Sequence, residues 1–326
     1  MRIFQGTTEI AGQMGIISGE LKKRGYYAVG YNTFHSYLGY KDHLINTTYH
    51  EIAKQVKHII NTFDCFHFHY ASSLLLDFKD LPLIKSTGKK MIMHHWGNDV
   101  RFHEQAKVNN PYVYTGDSPS NEIIHERLTK ISAHIDEAIV QDHEVLPYVE
   151  PYYKKVNVAP IAIDLDKFNP KYPDCKKNVP LILHAPTNPE FKGTKYIEAA
   201  IKELANTHTF EYKRLEKLSN AEIIKIYRDA DIIADQILCG SYGLLSVESM
   251  ALGKPVITFI RPDIANTFPS GLPIVNANPD TVYEKLKLLI EQPSLRKELG
   301  MLGRKYVENY HSKEIVTDKL IQIYTN

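Results

Sequence analysis

The sequence predicts an α/β protein made of two Rossmann-like domains, each a parallel sheet with helices on both faces. Three observations carry this prediction. Short apolar runs alternate with amphipathic helical patterns, the order expected of parallel strands joined by crossover helices. The alternation comes as two series, divided by a stretch rich in Pro, Asp and Lys, "VNVAPIAIDLDKFNPKYPDCKKNVP", which reads as a linker. The chain's 326 residues, 43% of them hydrophobic, exceed the usual size of one domain and supply apolar side chains for two cores.

In chain order, "RIFQ" opens the first series as a strand, and a helix follows through "QMGIISGELKKRG". "YYAVGY" is the next strand, "HEIAKQVKHIINTF" a helix, and "CFHFHY" and "KKMIMHH" two more strands. Residues 101–121 lack periodicity, and "VNNPYVYTGDSPSN" is expected to be a mobile loop over the first domain. The second series runs through "VPLILHA", "GTKYIEAAIKELA", "FEYKRL", "NAEIIKIYRDA" and "DIIADQ" to a short apolar helix, then "PVITFI" and "LPIVNA". Beyond it the chain is nearly all helical. The expected domains are residues 1–160, residues 161–310, and a C-terminal helix over 311–326 that packs back on the first domain.

Composition excludes several classes. The 39 basic and 38 acidic side chains nearly cancel, so no global field draws the chain to nucleic acid. Three cysteines, Cys65, Cys175 and Cys239, are scattered without CxxC spacing, which argues against a disulfide framework and a zinc cage and fits a reducing cytoplasm. No stretch approaches the roughly 18 apolar residues of a membrane span, and the first residues lack a signal-peptide core. Peripheral contact with the inner face of a membrane stays open, as does oligomeric state.

The segment "CGSYGLLSVESMALGKPVITF" concentrates the chemistry. A helix starting near Gly243 leaves free N–H groups at Gly243, Leu244 and Leu245, which suit a phosphate oxygen, and Gly240 and Gly243 lack the Cβ atoms that would obstruct it. Glu248 lies three to four residues on, on the same helical face one turn deeper. A carboxylate there repels phosphate but accepts two hydrogen bonds from a vicinal diol. Diphosphate at the helix tip and ribose at Glu248 describe a nucleotide; the plainer alternative is a solvated glutamate favoured by the helix dipole.

This segment resembles the signature of the retaining nucleotide-sugar glycosyltransferases of family four, which have the GT-B fold: E-x-F-G-[apolar]3-x-E-[AS]-M-A-x-G-x-P-V. Tyr242, Gly243, Glu248, Met250, Ala251, Gly253, Pro255 and Val256 match it. The resemblance implies two Rossmann-like domains facing across a cleft, the donor nucleotide on the second and the acceptor on the first, with Glu248 on the donor ribose. Gly240 stands where the family has its first glutamate, and Asp235 or Gln236 is the candidate substitute for the donor-sugar contact. "LILHAPTNPEFKGTKYIEA" resembles the family's arginine and Lys-Gly loop, so Lys192 is the expected cation on the leaving diphosphate; the arginine is absent, with Thr187 and Asn188 nearby. The alternative for Lys192 is an exposed loop lysine.

"MRIFQGTTEIAGQMG" resembles the family's N-terminal glycine-rich loop, which makes Gly12 and Gln13 expected donor or acceptor contacts; an ordinary tight turn is the alternative. "KKMIMHHWGNDVRF" resembles the acceptor-side "H-G-S-D-x-R" region, so His95 and Asp99 are candidate catalytic residues, although His94 and His95 alternate along a strand and only one can face the acceptor. His67 and His69 share a strand face but have no third ligand at recognisable spacing, so a core role is expected and no metal site. The pairs Asp164/Asp166 and Asp229/Asp231 are also discounted as metal ligands.

The resemblance therefore implies transfer of a sugar from a nucleotide diphosphate sugar to an acceptor hydroxyl, with retention, without a metal and without a bound cofactor. The acceptor is a carbohydrate, a lipid-linked sugar or a small molecule. A sugar-nucleotide epimerase or phosphorylase on the same scaffold, and a catalytically silent nucleotide-sugar binding protein, are the rival readings.

Overall fold

Seven strands form one parallel sheet and five a second, in a computed structural model that describes residues Met1–Asn326. The first unit comprises Met1–Gln105, Ser118–Ala162 and Lys313–Asn326; the second comprises Ala106–Asp117 and Ile163–Ser312.

In the first unit β1 (Arg2–Thr7), β2 (Tyr27–Asn32), β3 (Leu44–Asn46), β4 (Cys65–His69), β5 (Lys90–His95), β6 (Glu137–Val140) and β7 (Lys155–Val158) line up in the order β3-β2-β1-β4-β5-β6-β7. The crossovers carry α1 (Gln13–Lys23), α2 (Tyr49–Thr62), α3 (Leu81–Ser86), α5 (Asn121–Ser132) and α6 (Leu146–Val149), while α4 (His103–Asn109) spans the boundary between the units. α2 starts at a capping box, Thr48 receiving Glu51 N–H while the Glu51 carboxylate takes Thr48 N–H. β4 is buried along its whole length, so its sequence carries no charged or solvent-facing side chain and alternates phenylalanine on one face with histidine on the other.

β3, β6 and β7 have no counterpart among the strands expected from sequence, and β7, apart from Lys155, falls inside the expected linker. The polar residues of β6 and β7 hide them. Glu137 pairs with Lys90 at 2.6 Å and Lys155 at 2.8 Å and accepts from Asn157 Nδ2 at 2.7 Å, so these charges satisfy one another across three neighbouring strands.

The second unit holds β8 (Leu181–His184), β9 (Glu211–Arg214), β10 (Ile232–Ala234), β11 (Val256–Thr258) and β12 (Ile274–Asn276) in the order β12-β11-β10-β8-β9. Its helices are α7 (Pro189–Lys192), α8 (Thr194–Leu204), α9 (Asn220–Tyr227), α10 (Leu244–Ala251), α11 (Val282–Glu291) and α12 (Pro293–Tyr310). One face is closed by Val247 and Met250 of α10 with Tyr306 and Val307 of α12, the other by Ile197, Ile201 and Leu204 of α8 with Leu286 and Leu289 of α11.

The expected loop over the first domain is instead partly helical, and Ala106–Asp117 belongs to the second unit. Asn110 fixes it there: its Nδ2 donates to Leu238 O at 2.7 Å and Cys239 O at 3.1 Å. Ile163 N–H donates to His311 O at 2.8 Å, so the strands of chain entering and leaving the second unit run side by side. The last helix, α13 (Lys313–Thr325), then lies against α1, with Val316, Leu320 and Ile323 completing the core of Ile3, Cys65, Ile92 and Ile139.

Candidate functional site

An open parallel sheet binds ligands beyond the carboxyl ends of its strands, where neighbouring connections diverge to opposite faces. In the second unit that reversal lies between β8 and β10. Lys192 comes from the loop after β8, and Asp235, Gln236 and the start of α10 come from the loop after β10.

α7 is a single turn that delivers Lys192. Asn188 caps it, accepting from Glu190 N at 2.9 Å and Phe191 N at 3.3 Å, and Gly193 ends it at φ 77°, where a Cβ would stand 2.7 Å from Ile237 Cγ1. The Lys192 side chain is only 11% exposed, so it is not a solvated loop lysine. Its Nζ donates to Asp235 Oδ1 at 2.7 Å and Gln236 Oε1 at 2.8 Å, two of the three donors an ammonium carries. Asp235 Oδ2 accepts from Ser246 Oγ at 2.6 Å, and Gln236 Nε2 donates to Ser241 O at 2.5 Å. The lysine charge is thereby fixed at the first turn of α10.

That helix end has no side-chain cap and no acidic residue in its first turn. Gly243, at φ −114°, precedes it, and a Cβ there would lie 3.4 Å from Gln236 Oε1. The first N–H groups and the dipole thus face the same place as the ammonium. Glu248, one turn deeper, is buried and accepts from Asn220 Nδ2 at 2.8 Å. Burial pushes its carboxyl up to about 7; the Asn220 bond opposes the rise and the Asp235 charge adds to it.

Other residues expected at this site are placed differently. Asp235 is fully buried with Lys192 on one oxygen and Ser246 on the other, so it holds the lysine in place. Tyr242 lies in the core beside Phe268, its hydroxyl 3.0 Å from His311 Nε2. Thr187 is exposed, ahead of the Asn188 cap. Gly240 sits at φ +90° with its Cβ direction filled by Arg261, whose Cγ would be 2.5 Å away, so the position has no room for a side chain as the chain is folded. Leu244 and Leu245, by contrast, open α10 where the sequence expects the helix to start, and are half-buried. Asn220 and Ser246 were not singled out from sequence; Ser246 shares the motif helix, but nothing in the spacing connects Asn220 to Glu248.

In the first unit the strand order reverses between β1 and β4. The glycine-rich turn there is already occupied by its own chain. Glu9 accepts from Met14 N at 3.2 Å and Gly15 N at 3.0 Å, covering the α1 N-terminus, and its burial pushes the carboxyl up to about 8. Gln13 is buried, its amide donating to Ala162 O at 3.0 Å and accepting from Ala162 N at 2.8 Å, which locks the turn to residue 162. The expected ligand contact through Gln13 is replaced by this internal bond. Gly12, at φ 77°, faces the Tyr40 ring, where a Cβ would be 3.0 Å away.

His94 and His95 point to opposite faces as the strand alternation requires, and neither is open to solvent. His95 is fully buried, with Nδ1 2.7 Å from Asp99 Oδ2 and Nε2 2.9 Å from the Tyr153 hydroxyl. Asp99 Oδ1 accepts from Trp96 N and Gly97 N, both at 3.0 Å. Both ring nitrogens and both carboxylate oxygens are engaged, so this pair shapes the 96–99 turn and the acid-base role expected of it has no free atom. His67, His69 and His94 do meet, their ring nitrogens within 4.8 Å of one another; the third imidazole comes from the adjacent strand, which residue spacing cannot reveal.

No family model matches the chain. Among curated proteins, the capsular polysaccharide biosynthesis glycosyltransferase CapM of Staphylococcus aureus is 30% identical over 104 residues, 31% of this chain and 27% of CapM. Solved structures match along nearly the full length: a glycosyltransferase from Rickettsia africae at TM-score 0.69 and 17% identity over 99% of this chain and 97% of the other. Anabaena HepE in complex with UDP-glucose aligns at TM-score 0.66 and 12% identity, covering 99% and 98%. WaaG, a glycosyltransferase of lipopolysaccharide biosynthesis, aligns at TM-score 0.62 and 13% identity over the whole of both chains. The chain has the fold these glycosyltransferases share, GT-B.

Proposed function

We propose that the protein is a glycosyltransferase that moves a sugar from a nucleotide diphosphate sugar, with uridine as the base, to an acceptor hydroxyl, with retention and without a metal ion. One observation carries the reading: the Lys192 ammonium, held by Asp235 and Gln236, stands at the uncapped start of α10 with Glu248 one turn below. Helix N–H groups and a formal cation stabilise the diphosphate as it leaves, the place where charge develops in the transition state. Glu248 accepts the ribose hydroxyls. This pairing supplies the electrostatic function that a divalent cation performs elsewhere. The GT-B fold and the CapM likeness support the same chemistry, and HepE has been solved with UDP and UDP-glucose.

The acceptor class is a carbohydrate or a lipid-linked or small hydroxyl compound. No helix is long and apolar enough to cross a membrane, and the three free cysteines favour a cytoplasmic setting. The test is calorimetric titration with UDP and UDP-glucose, followed by UDP release assays across an acceptor panel in the presence of EDTA. Binding with acceptor-dependent UDP release is expected. Binding without transfer to any acceptor would favour a silent binding protein, the reading that the glycine at 240 and the missing loop arginine support.

A further inference from the structure

Six side chains of the first unit build a polar layer on one sheet face: Gln5 of β1, His67 and His69 of β4, His94 of β5, Trp96 just beyond, and Tyr324 of α13 laid over them. The rings form two storeys. His67 and His94 are parallel within 5° and joined Nε2 to Nδ1 at 3.2 Å, while His69 and Trp96 are parallel within 12° and joined by the indole N–H to Nδ1 at 3.3 Å. His67 stacks on His69 at 4.3 Å and His94 on Trp96 at 4.0 Å.

The fixed donors determine every tautomer. Gln5 Oε1 can only accept, so His69 Nε2, 2.7 Å away, carries a proton and its Nδ1 receives the indole. Gln5 Nε2 donates to the Tyr324 oxygen at 3.1 Å, and the single hydroxyl proton then goes to His67 Nδ1 at 2.7 Å. His67 Nε2–H donates in turn to His94 Nδ1, which leaves His94 protonated on Nε2. That nitrogen is buried and has no partner in the fold. Running the chain the other way would strand two groups, the Tyr324 proton and the His94 Nε2 lone pair. Burial keeps these rings neutral, His67 at about 3 and the other two well below the usual range.

The same geometry argues against a metal. The nitrogens reach 4.8 Å apart, against about 3.4 Å between ligands of a tetrahedral zinc with bonds near 2.0–2.1 Å.

We propose that Tyr324, acting through His67, is a positioning residue that holds His94 in the Nε2–H form. His94 thereby presents a buried donor to a neutral oxygen acceptor near the carboxyl end of β5, an ordered water or a ligand hydroxyl. Native proteins leave few such donors unmet. The inference does not rest on glycosyl transfer.

The test is two-bond nitrogen–proton correlation on the full chain labelled with ¹⁵N-histidine. The wild type is expected to show the Nε2–H form of His94 in roughly tenfold or greater excess, the ratio set by one orphaned buried group. In Tyr324→Phe both directions orphan equal numbers of groups, so the ratio is expected to fall to within about threefold of unity. A shift of the His94 Nε2 resonance on adding UDP-glucose or glycerol identifies a ligand hydroxyl as acceptor, and an exchange peak with solvent identifies water. An Nδ1–H His94 in the wild type, an unchanged tautomer ratio in Tyr324→Phe, or stoichiometric uptake of Co²⁺ by the three rings would overturn the proposal. The wild-type spectrum decides the tautomer by itself should the variant fail to fold.

Discussion

The Lys192 ammonium lies 2.7 Å from Asp235 Oδ1, and both residues are buried. A buried ion pair is a weak source of stability, because desolvation offsets most of the attraction, yet removing one member is costly. Lys192→Met should therefore lose about 3–5 kcal/mol of stability by stranding the Asp235 charge. Lys192→Met combined with Asp235→Leu should regain most of that in a melting experiment. Turnover of the double variant should remain down by ~10²–10³-fold, the usual effect of removing a charge-stabilising group. Recovery of turnover together with stability would reduce Lys192 to a structural residue.

A carboxylate accepts hydrogen bonds from a diol best when ionised, and burial holds the Glu248 carboxyl at about 7. UDP affinity should rise from pH 6 to pH 8, with a proton released on binding near pH 6.5. Calorimetry in buffers of different ionisation enthalpy measures that proton directly. Glu248→Gln should flatten the pH profile and weaken UDP by roughly 10–100-fold, since hydrogen bonds to a charged group contribute about 1.5–3 kcal/mol.

Placing a glutamate at position 240 should not raise turnover. Gly240 has φ +90°, and Arg261 Cγ fills the Cβ direction at 2.5 Å. Gly240→Glu and Gly240→Ala should both lower the melting temperature by similar amounts, because the clash begins at Cβ. A stable Gly240→Glu variant with increased turnover would show that Arg261 can move aside.

Two carboxyls held above their usual range make stability depend on pH. Glu9 is pushed up to about 8 and Glu248 to about 7, so the fold holds protons that the unfolded chain has released. Their contribution is complete below about pH 4.5 and disappears as pH climbs through 7 and 8. The buried histidines, including His184 at about 4, act oppositely, their contribution growing as pH rises to 6.5. Stability should peak near pH 6.5 and fall by about 2 kcal/mol towards pH 8. Urea unfolding across that range checks it, and Glu9→Gln should remove most of the falling limb.

The sequence made the two sheets and the motif helix legible because buried parallel strands are short apolar runs and α10 is bounded by glycine at both ends. It concealed β6 and β7, whose charges pair across strands, and it placed Ala106–Asp117 on the wrong domain because a single side chain, Asn110, decides where that segment docks. The sequence places Lys192 in the loop after β8 and Glu248 on α10, but not the side chains that meet them: Asn220 comes from another helix, and Asp235, read as a candidate sugar contact, pairs with Lys192. His95 and Asp99 matched a pattern, yet Tyr153 and the 96–97 backbone fill their hydrogen bonds. Side-chain partners brought by tertiary folding leave no trace in local spacing.

The most direct measurement is calorimetric titration of UDP into the wild type, Lys192→Met/Asp235→Leu and Glu248→Gln at pH 8. Saturable one-to-one binding by the wild type, weakened in both variants, is the result expected if the α10 terminus receives the diphosphate. Absence of binding by the folded wild type, or identical affinity in all three proteins, would contradict it.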